Sequence, residues 1–184
     1  MESDVIPKLQ KNSQIAVKLL RRKDTHMDPA IKKQVLRQFT YGLFAITCSE
    51  GEEVNAFTAN WLTQVSFDPP MLAVSVENAS KSLPMIQRSR KFAVNVLRTG
   101  QRELAGALGK SALKYPQKLA SIAYETRGDG FIVLPEALSW VGCSVQQTLL
   151  TGDSTLIVAE VVDAGIVAEG QPLTMKETGF RHAG

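Results

Sequence analysis

The spacing of hydrophobic and polar positions changes character along this chain, and the changes divide it into segments. Val5, Leu9, Ile15, Leu19 and Leu20 form an imperfect helical stripe on an otherwise polar stretch, which predicts a helix over residues 5–22 that docks elsewhere. "DPAIKKQVLRQF" is a better helix: Asp28 caps it, Pro29 suits the first turn, and Ile31, Val35 and Leu36 share a face. Near Tyr41 and Gly42 the period shortens to that of strands. "LFAITCS" and "VNAFTAN" flank the glycine-containing turn "EGEE" and read as a β-hairpin. "MLAVSVE" and "FAVNVL" are further strands, separated by "NASKSLPMIQRSRK", which carries helix-start signals and a positive end. "QRELAGALGK" and "YPQKLASIAY" read as short helices, and the chain returns to strand in "FIVL", "LSWVGCSVQQTLL" and "TLIVAEVVDAGIV". Strands at hairpin spacing with few helices, and no parallel βαβ order, predict a mainly β, Greek-key antiparallel barrel, closed and with helices capping its ends.

The implied organisation is a basic helical extension over residues 1–27, a barrel domain over 28–170 and a C-terminal tail over 171–184. The tail has no clear period and is expected to pack on the barrel or on a second subunit.

Composition narrows the class. At 184 residues, 44% hydrophobic and 21% charged, the chain suits one globular domain with a buried core plus an appendage. A run of about 18 apolar residues is absent, so no membrane span is expected. The start "MESDVIPKLQKNSQ" opens with acids and lacks an apolar signal core, so the expectation is a cytoplasmic protein. The net charge of +3 is concentrated in "PKLQKNSQIAVKLLRRKD", but without interleaved aromatics or a recognition motif. That argues for a solvated helix face and against nucleic-acid binding. Cys48 and Cys143 belong to no CxxC pair and read as core thiols, and His26 and His182 lie near the two ends. No metal site is expected, and a histidine-based triad has few candidates.

One stretch departs from ordinary strand alternation. "NAFTANWLTQVSFDPP" offers Thr58, Asn60, Thr63, Gln64 and Ser66 in close succession and then stops at Pro69 and Pro70, which force the chain off a sheet edge through a rigid corner. Neutral donors and acceptors beside the small Ala59 suit a ring with imide and carbonyl edges better than a metal. Read as structure alone, Thr58 and Ser66 are β-formers paired across strands. In "NASKSLP", Ser80 or Ser82 can cap the following helix, whose first amides with Lys81 suit a phosphate. The plainer reading is a serine cap with a solvated lysine.

Taken together, "GLFAITC", "FTANWLTQVSFDPPMLAVSV", "NASKS", "RKFAVNVL" and "GCSV…TGD" follow the order and spacing of the flavin reductase-like family, which the chain resembles over roughly residues 30–168. It is similar as well to the C-terminal flavin reductase domain of cyanobacterial diflavin flavoproteins. The resemblance implies an FMN-binding split barrel. It makes the segment from Phe57 to Ser66 the lining of the isoalloxazine and ribityl chain, with Thr58, Ala59 and Asn60 near the ring's polar edge and Gln64, Val65 and Ser66 toward the ribityl. Ala79, Ser80, Lys81 and Ser82 would take the phosphate. Tyr41, Gly42, Leu43 and Asn95 are secondary candidates, Asn95 being also readable as a structural hydrogen-bonder. Trp61 either covers the flavin or packs into a dimer contact, the latter being the preferred expectation.

The resemblance further implies FMN in preference to FAD, NAD(P)H as co-substrate, and a homodimer. The expected activity is NAD(P)H-dependent flavin reduction, with electrons passing to free flavin, a ferric chelate or a partner protein. No catalytic side chain is assigned, because hydride transfer between cofactors asks mainly for placement and exclusion of water. The family commonly reads Gly-Asp-His where this chain has Gly152-Asp153-Ser154, which removes an imidazole associated with the nicotinamide side. An electron-transfer module fed by a redox protein, docked through the basic N-terminus, is the alternative; a barrel binding a pyridoxal compound is a more distant one.

Overall fold

A computed structural model describes residues 27–181. The stripe over 5–22, the basic extension and both histidines lie outside these residues.

Helix α1 (Pro29–Leu36) starts as its sequence predicts: Asp28 Oδ1 accepts from the backbone N–H of Ala30 at 2.7 Å and of Ile31 at 3.4 Å. None of its residues is buried, and Ile31, Val35 and Leu36 stay exposed.

Thr40–Arg181 form one compact unit. Its strands are β1 (Phe44–Glu50), β2 (Glu53–Ala59), β3 (Leu62–Phe67), β4 (Pro70–Glu77), β5 (Lys91–Val96), β6 (Glu125–Arg127), β7 (Phe131–Val133), β8 (Ser139–Thr151) and β9 (Ser154–Ile166). Its helices are α2 (Ser82–Ser89), α3 (Arg102–Leu108) and the short α4 (Met175–Thr178). Seven strands form a single antiparallel sheet in the order β2-β1-β5-β8-β9-β4-β3, and β6 pairs with β7 apart from it.

The sheet is curled rather than flat. Ile46 and Cys48 of β1, Ala59 of β2, Val74 and Val76 of β4, Phe92 and Val94 of β5, Cys143 and Val145 of β8, and Ile157 and Ala159 of β9 bury their side chains in one cluster. Strands from both ends of the order therefore share one interior, as a barrel requires. β2 and β3 are the two sheet edges, joined by the link Asn60–Trp61, so the barrel is split there, as the family resemblance implies, and not closed as strand spacing alone suggests. Leu83, Met85 and Ile86 of α2 enter the same cluster from one end. A second cluster on the opposite face of β1 and β2 packs Ala45 and Ala56 against Ala105 and Leu108 of α3.

The double proline also works differently from the expected departure from a sheet edge. Phe67 is in register with Pro70 on the adjacent antiparallel strand, so the chain doubles back within the same sheet; the turn contains a cis Asp68–Pro69 bond. "YPQKLASIAY" forms consecutive turns, not the expected helix. Lys118, in its middle, turns its ammonium to the carbonyls of Leu108 at 2.8 Å and Lys110 at 2.7 Å, where it caps the end of α3. Half burial pulls this lysine down to about 8.

The C-terminal segment is a structural member of the unit. Leu43 N–H donates to the Leu173 carbonyl at 2.9 Å, Leu173 N–H to Leu97 at 2.8 Å, and Thr99 N–H to Gln171 at 2.8 Å, so residues 171–174 lie between the approach to β1 and the exit from β5. Leu173 is fully buried.

Candidate functional site

Alternation along β2 decides which of its side chains can face the barrel interior. Phe57 and Ala59 belong to the interior cluster, whereas Ala56 lies under α3. Thr58 shares the outward parity, and its hydroxyl donates to the Ala105 carbonyl of α3 at 2.6 Å. That hydroxyl is spent on joining the helix to the sheet.

Asn60 follows at the break between the two sheet edges. Its Nδ2 is buried and has no hydrogen-bond partner. A buried amide donor without an acceptor is costly, and here it sits at the opening of the barrel. The neighbouring Trp61 is partly exposed, and its carbonyl accepts from Ser75 N–H at 3.0 Å. On β3, Gln64 donates to the Ser66 carbonyl at 3.1 Å across a bulge that pushes out Val65. Thr63, Gln64 and Val65 are exposed on this edge strand.

The loop before α2 is tied on two sides. On the first, Asn55 Nδ2 donates to Ser82 Oγ at 2.8 Å, and Lys81 Nζ lies 2.5 Å from Glu53 Oε1. On the second, Asn78 Nδ2 donates to the Gly152 carbonyl at 3.2 Å, and its backbone N–H donates to the Asp153 carbonyl at 2.9 Å. Thr155 Oγ1 donates to Asn78 Oδ1 at 2.7 Å. The "NASKS" and "TGD" stretches, more than 70 residues apart, are therefore neighbours.

The two serines of the loop have different jobs. Ser80 Oγ accepts from Leu83 N–H at 3.2 Å and is the helix cap. Ser82 is 1% exposed and points into the core toward Asn55. Ala79 is exposed and Lys81 half-buried. Beneath them, burial pushes the Cys48 thiol up to about 11 in spite of the Ser82 hydroxyl beside it, so it is an unreactive core group. Ser154 is buried as well, and its hydroxyl donates to Asp153 Oδ1 at 3.0 Å.

Two further groups of expected contact residues are tied into the framework. Tyr41, Gly42 and Leu43 pair with the C-terminal segment, the Tyr41 carbonyl accepting from Met175 N–H at 3.0 Å and Leu43 entering the cluster under α3. Gly42 lies so close to the Phe44 ring that a Cβ would stand 2.8 Å from Cζ, which explains its glycine. Asn95 is fully buried: Nδ2 donates to the Ala45 carbonyl at 3.2 Å and to Thr47 Oγ1 at 3.1 Å, while Oδ1 accepts from Leu134 N–H at 2.8 Å. Its amide braces β5, β1 and the segment after β7.

Sequence reasoning passed over Asn55, Asn78 and Glu53. Asn55 had a legible signal, being an amide at an inward-parity position of β2; the roles of Asn78 and Glu53 depend on a loop and a turn whose packing no local pattern reports. Among the described residues no cluster of histidine, cysteine and acidic side chains could hold a metal, and no helix is long and apolar enough to cross a membrane.

The chain is thus a split antiparallel β-barrel with a buried, unpartnered amide donor at the link between its two sheet edges. The chain belongs to the flavin reductase-like family: residues 36–184 match the Flavin reductase like domain. It is 31% identical over 143 residues to the high molecular weight rubredoxin of Moorella thermoacetica, covering 77% of this chain and 62% of that protein. It is 25% identical over 169 residues to a flavin reductase of Pseudomonas putida, covering 91% and 96%. Among solved structures, the flavin reductase PheA2 in its native state superimposes with a TM-score of 0.72 at 30% identity, covering 85% of this chain and 98% of that one. The chain thus spans under two thirds of the rubredoxin relative and nearly the whole length of the reductase.

Proposed function

We propose that the chain is an NAD(P)H-dependent flavin reductase that binds FMN at the split of the barrel and passes electrons to free flavin, a ferric chelate or a partner protein. The observation that carries this reading is the orphaned Asn60 Nδ2, a buried donor suited to a carbonyl of the flavin ring. Phe57 and Ala59 provide an apolar floor on the same strand, and Gln64, Val65 and Ser66 run along the edge available to a ribityl chain. Ala79, Ser80 and Lys81 bring helix-start amides and a positive charge to the phosphate. Ser82 supports that loop from within through Asn55. Bound flavin supplies the hydride and electron chemistry, and the protein's task is to orient the ring and keep water from its reacting face.

A homodimer fits the same reading. Phe67 is 90% exposed and Val65 is exposed near it on the edge strand β3, while Leu149 and Leu150 are exposed on β8; these are apolar side chains that a second copy could bury. The composition and family suit a cytoplasmic protein.

A second reading, an FMN-binding electron-transfer module reduced by a protein partner, is favoured by Ser154. It stands where the family commonly has histidine, and its hydroxyl is engaged by Asp153. The similarity to a protein named a rubredoxin agrees with that alternative. Anaerobic addition of NADH and then NADPH to the FMN-loaded protein, followed by visible absorption, separates the two. Rapid bleaching supports the reductase and identifies the preferred nucleotide, while flavin that stays bound and oxidised supports the partner-fed module.

A further inference from the structure

Lys81 is the only charged side chain in the loop Asn78–Ser82, and it is already engaged by a carboxylate. Glu53 Oε1 lies 2.5 Å from Lys81 Nζ, with side-chain exposures of 54% and 32%. The loop's two hydroxyl oxygens accept hydrogen bonds within the fold, Ser80 Oγ from Leu83 N–H and Ser82 Oγ from Asn55 Nδ2, and neither side chain carries a charge. Lys81 is therefore the one charged side chain with which this loop can favour a phosphorylated ligand over an unphosphorylated one. Glu53 cannot easily withdraw its backbone. The turn that carries it is pinned at its other end by Glu50, whose two carboxylate oxygens accept from Arg88 Nε at 2.5 Å and Nη2 at 2.6 Å. Both ends of α2 are thus clamped to one acidic turn.

We propose that Glu53 is a specificity-determining residue: its carboxylate competes with a phosphate for Lys81, so that phosphorylated flavin gains little over the unphosphorylated ring and exchanges readily. The inference rests on the reading that the loop before α2 receives the phosphate. A phosphate approaching Lys81 must displace the carboxylate or share the ammonium with it, and like charges at that distance repel. Because the pair is half in solvent, the effect is several-fold and is largest at low salt.

The test compares FMN and riboflavin, which share ring and ribityl chain and differ in the phosphate. Their dissociation constants are measured by flavin fluorescence at low salt for the wild-type protein, Glu53→Gln and Lys81→Met, with melting temperature as a check of folding. The expected result is that Glu53→Gln raises the preference for FMN over riboflavin by roughly two- to fivefold, with riboflavin affinity unchanged, and that Lys81→Met lowers it. A preference unchanged by Glu53→Gln but lowered by Lys81→Met overturns the competition while leaving the phosphate loop intact. A rise on Glu53→Gln without a fall on Lys81→Met overturns it too, since the carboxylate would then act on a phosphate held elsewhere. If neither variant moves the preference, the phosphate loop itself is wrongly placed and the proposal falls with it.

Discussion

Asn55 on β2 and Ser82 at the start of α2 are joined by a buried hydrogen bond of 2.8 Å, 27 residues apart in sequence. This bond fixes where the helix begins relative to the sheet edge. It also separates the two serines of the loop, leaving Ser80 as cap and Ser82 as an interior strut.

Ser82→Ala is therefore expected to act on stability. It leaves the Asn55 amide buried without its partner, a loss of about 1–3 kcal/mol. Ser80→Ala removes one exposed-side cap bond and is expected to cost about 1 kcal/mol. In the double variant Asn55→Val with Ser82→Ala the unpaired amide is gone, so the total cost should be smaller than the sum of the two single changes. Urea unfolding of the wild type, Asn55→Val, Ser82→Ala and the double variant measures this; strictly additive costs would show that the bond contributes nothing.

At the other end of α2, the Arg88 guanidinium holds the Glu50 carboxyl below its ordinary value of 4.5. A carboxylate with a depressed folded pKa contributes stability that is present above its unfolded pKa and is lost as pH falls through the folded value. The melting-temperature difference between wild type and Glu50→Gln should accordingly hold steady from neutral pH down to the ordinary carboxylate range and disappear below it. Because the pair is exposed, added salt should shrink the difference at neutral pH.

Burial pushes Cys48 up to about 11 and Cys143 up to about 12. Thiolate is then scarce at neutral pH, and both sulfurs lie inside the barrel cluster. A disulfide-exchange reagent should label neither thiol in the folded protein over minutes at neutral pH, and both in denaturant. Rapid labelling of one thiol without denaturant would mean that the barrel opens locally.

What the sequence made legible is what local pattern controls. The β1–β2 hairpin follows from alternation on either side of Gly51, whose φ of 59° is one that glycine adopts freely. Helix α1 follows from Asp28 and Pro29, and the core roles of Phe92 and Val94 from their apolar strand. Where partners are distant in sequence, the pattern was silent. Thr58 looked available for a ligand because the Ala105 carbonyl that accepts its hydrogen bond lies 47 residues on. Asn95 looked ambiguous because its partners come from β1, 50 and 48 residues earlier, and from Leu134, 39 residues later. β6 escaped notice because the three residues "ETR" are too short to carry a period, and within "YPQKLASIAY" Lys118 makes a contact to the end of α3 that only the folded chain supplies.

Asn60 offers the sharpest test of the site, because stability and binding should respond in opposite senses. Its Nδ2 is buried with no partner in the ligand-free fold, so the fold bears the cost of desolvating a donor that it does not use. Asn60→Leu keeps similar volume and removes that donor. The ligand-free variant should then be as stable as the wild type or more so, since an unpaired buried donor costs about 1–3 kcal/mol. FMN and riboflavin should both bind more weakly, by roughly fivefold for one lost hydrogen bond of about 1 kcal/mol, because the proposed contact is to the ring and not to the phosphate. Equal weakening of the two flavins distinguishes Asn60 from Lys81, whose loss should be felt by FMN alone. A variant that loses stability and keeps its flavin affinity would assign Asn60 to the framework and move the ring away from the split between β2 and β3.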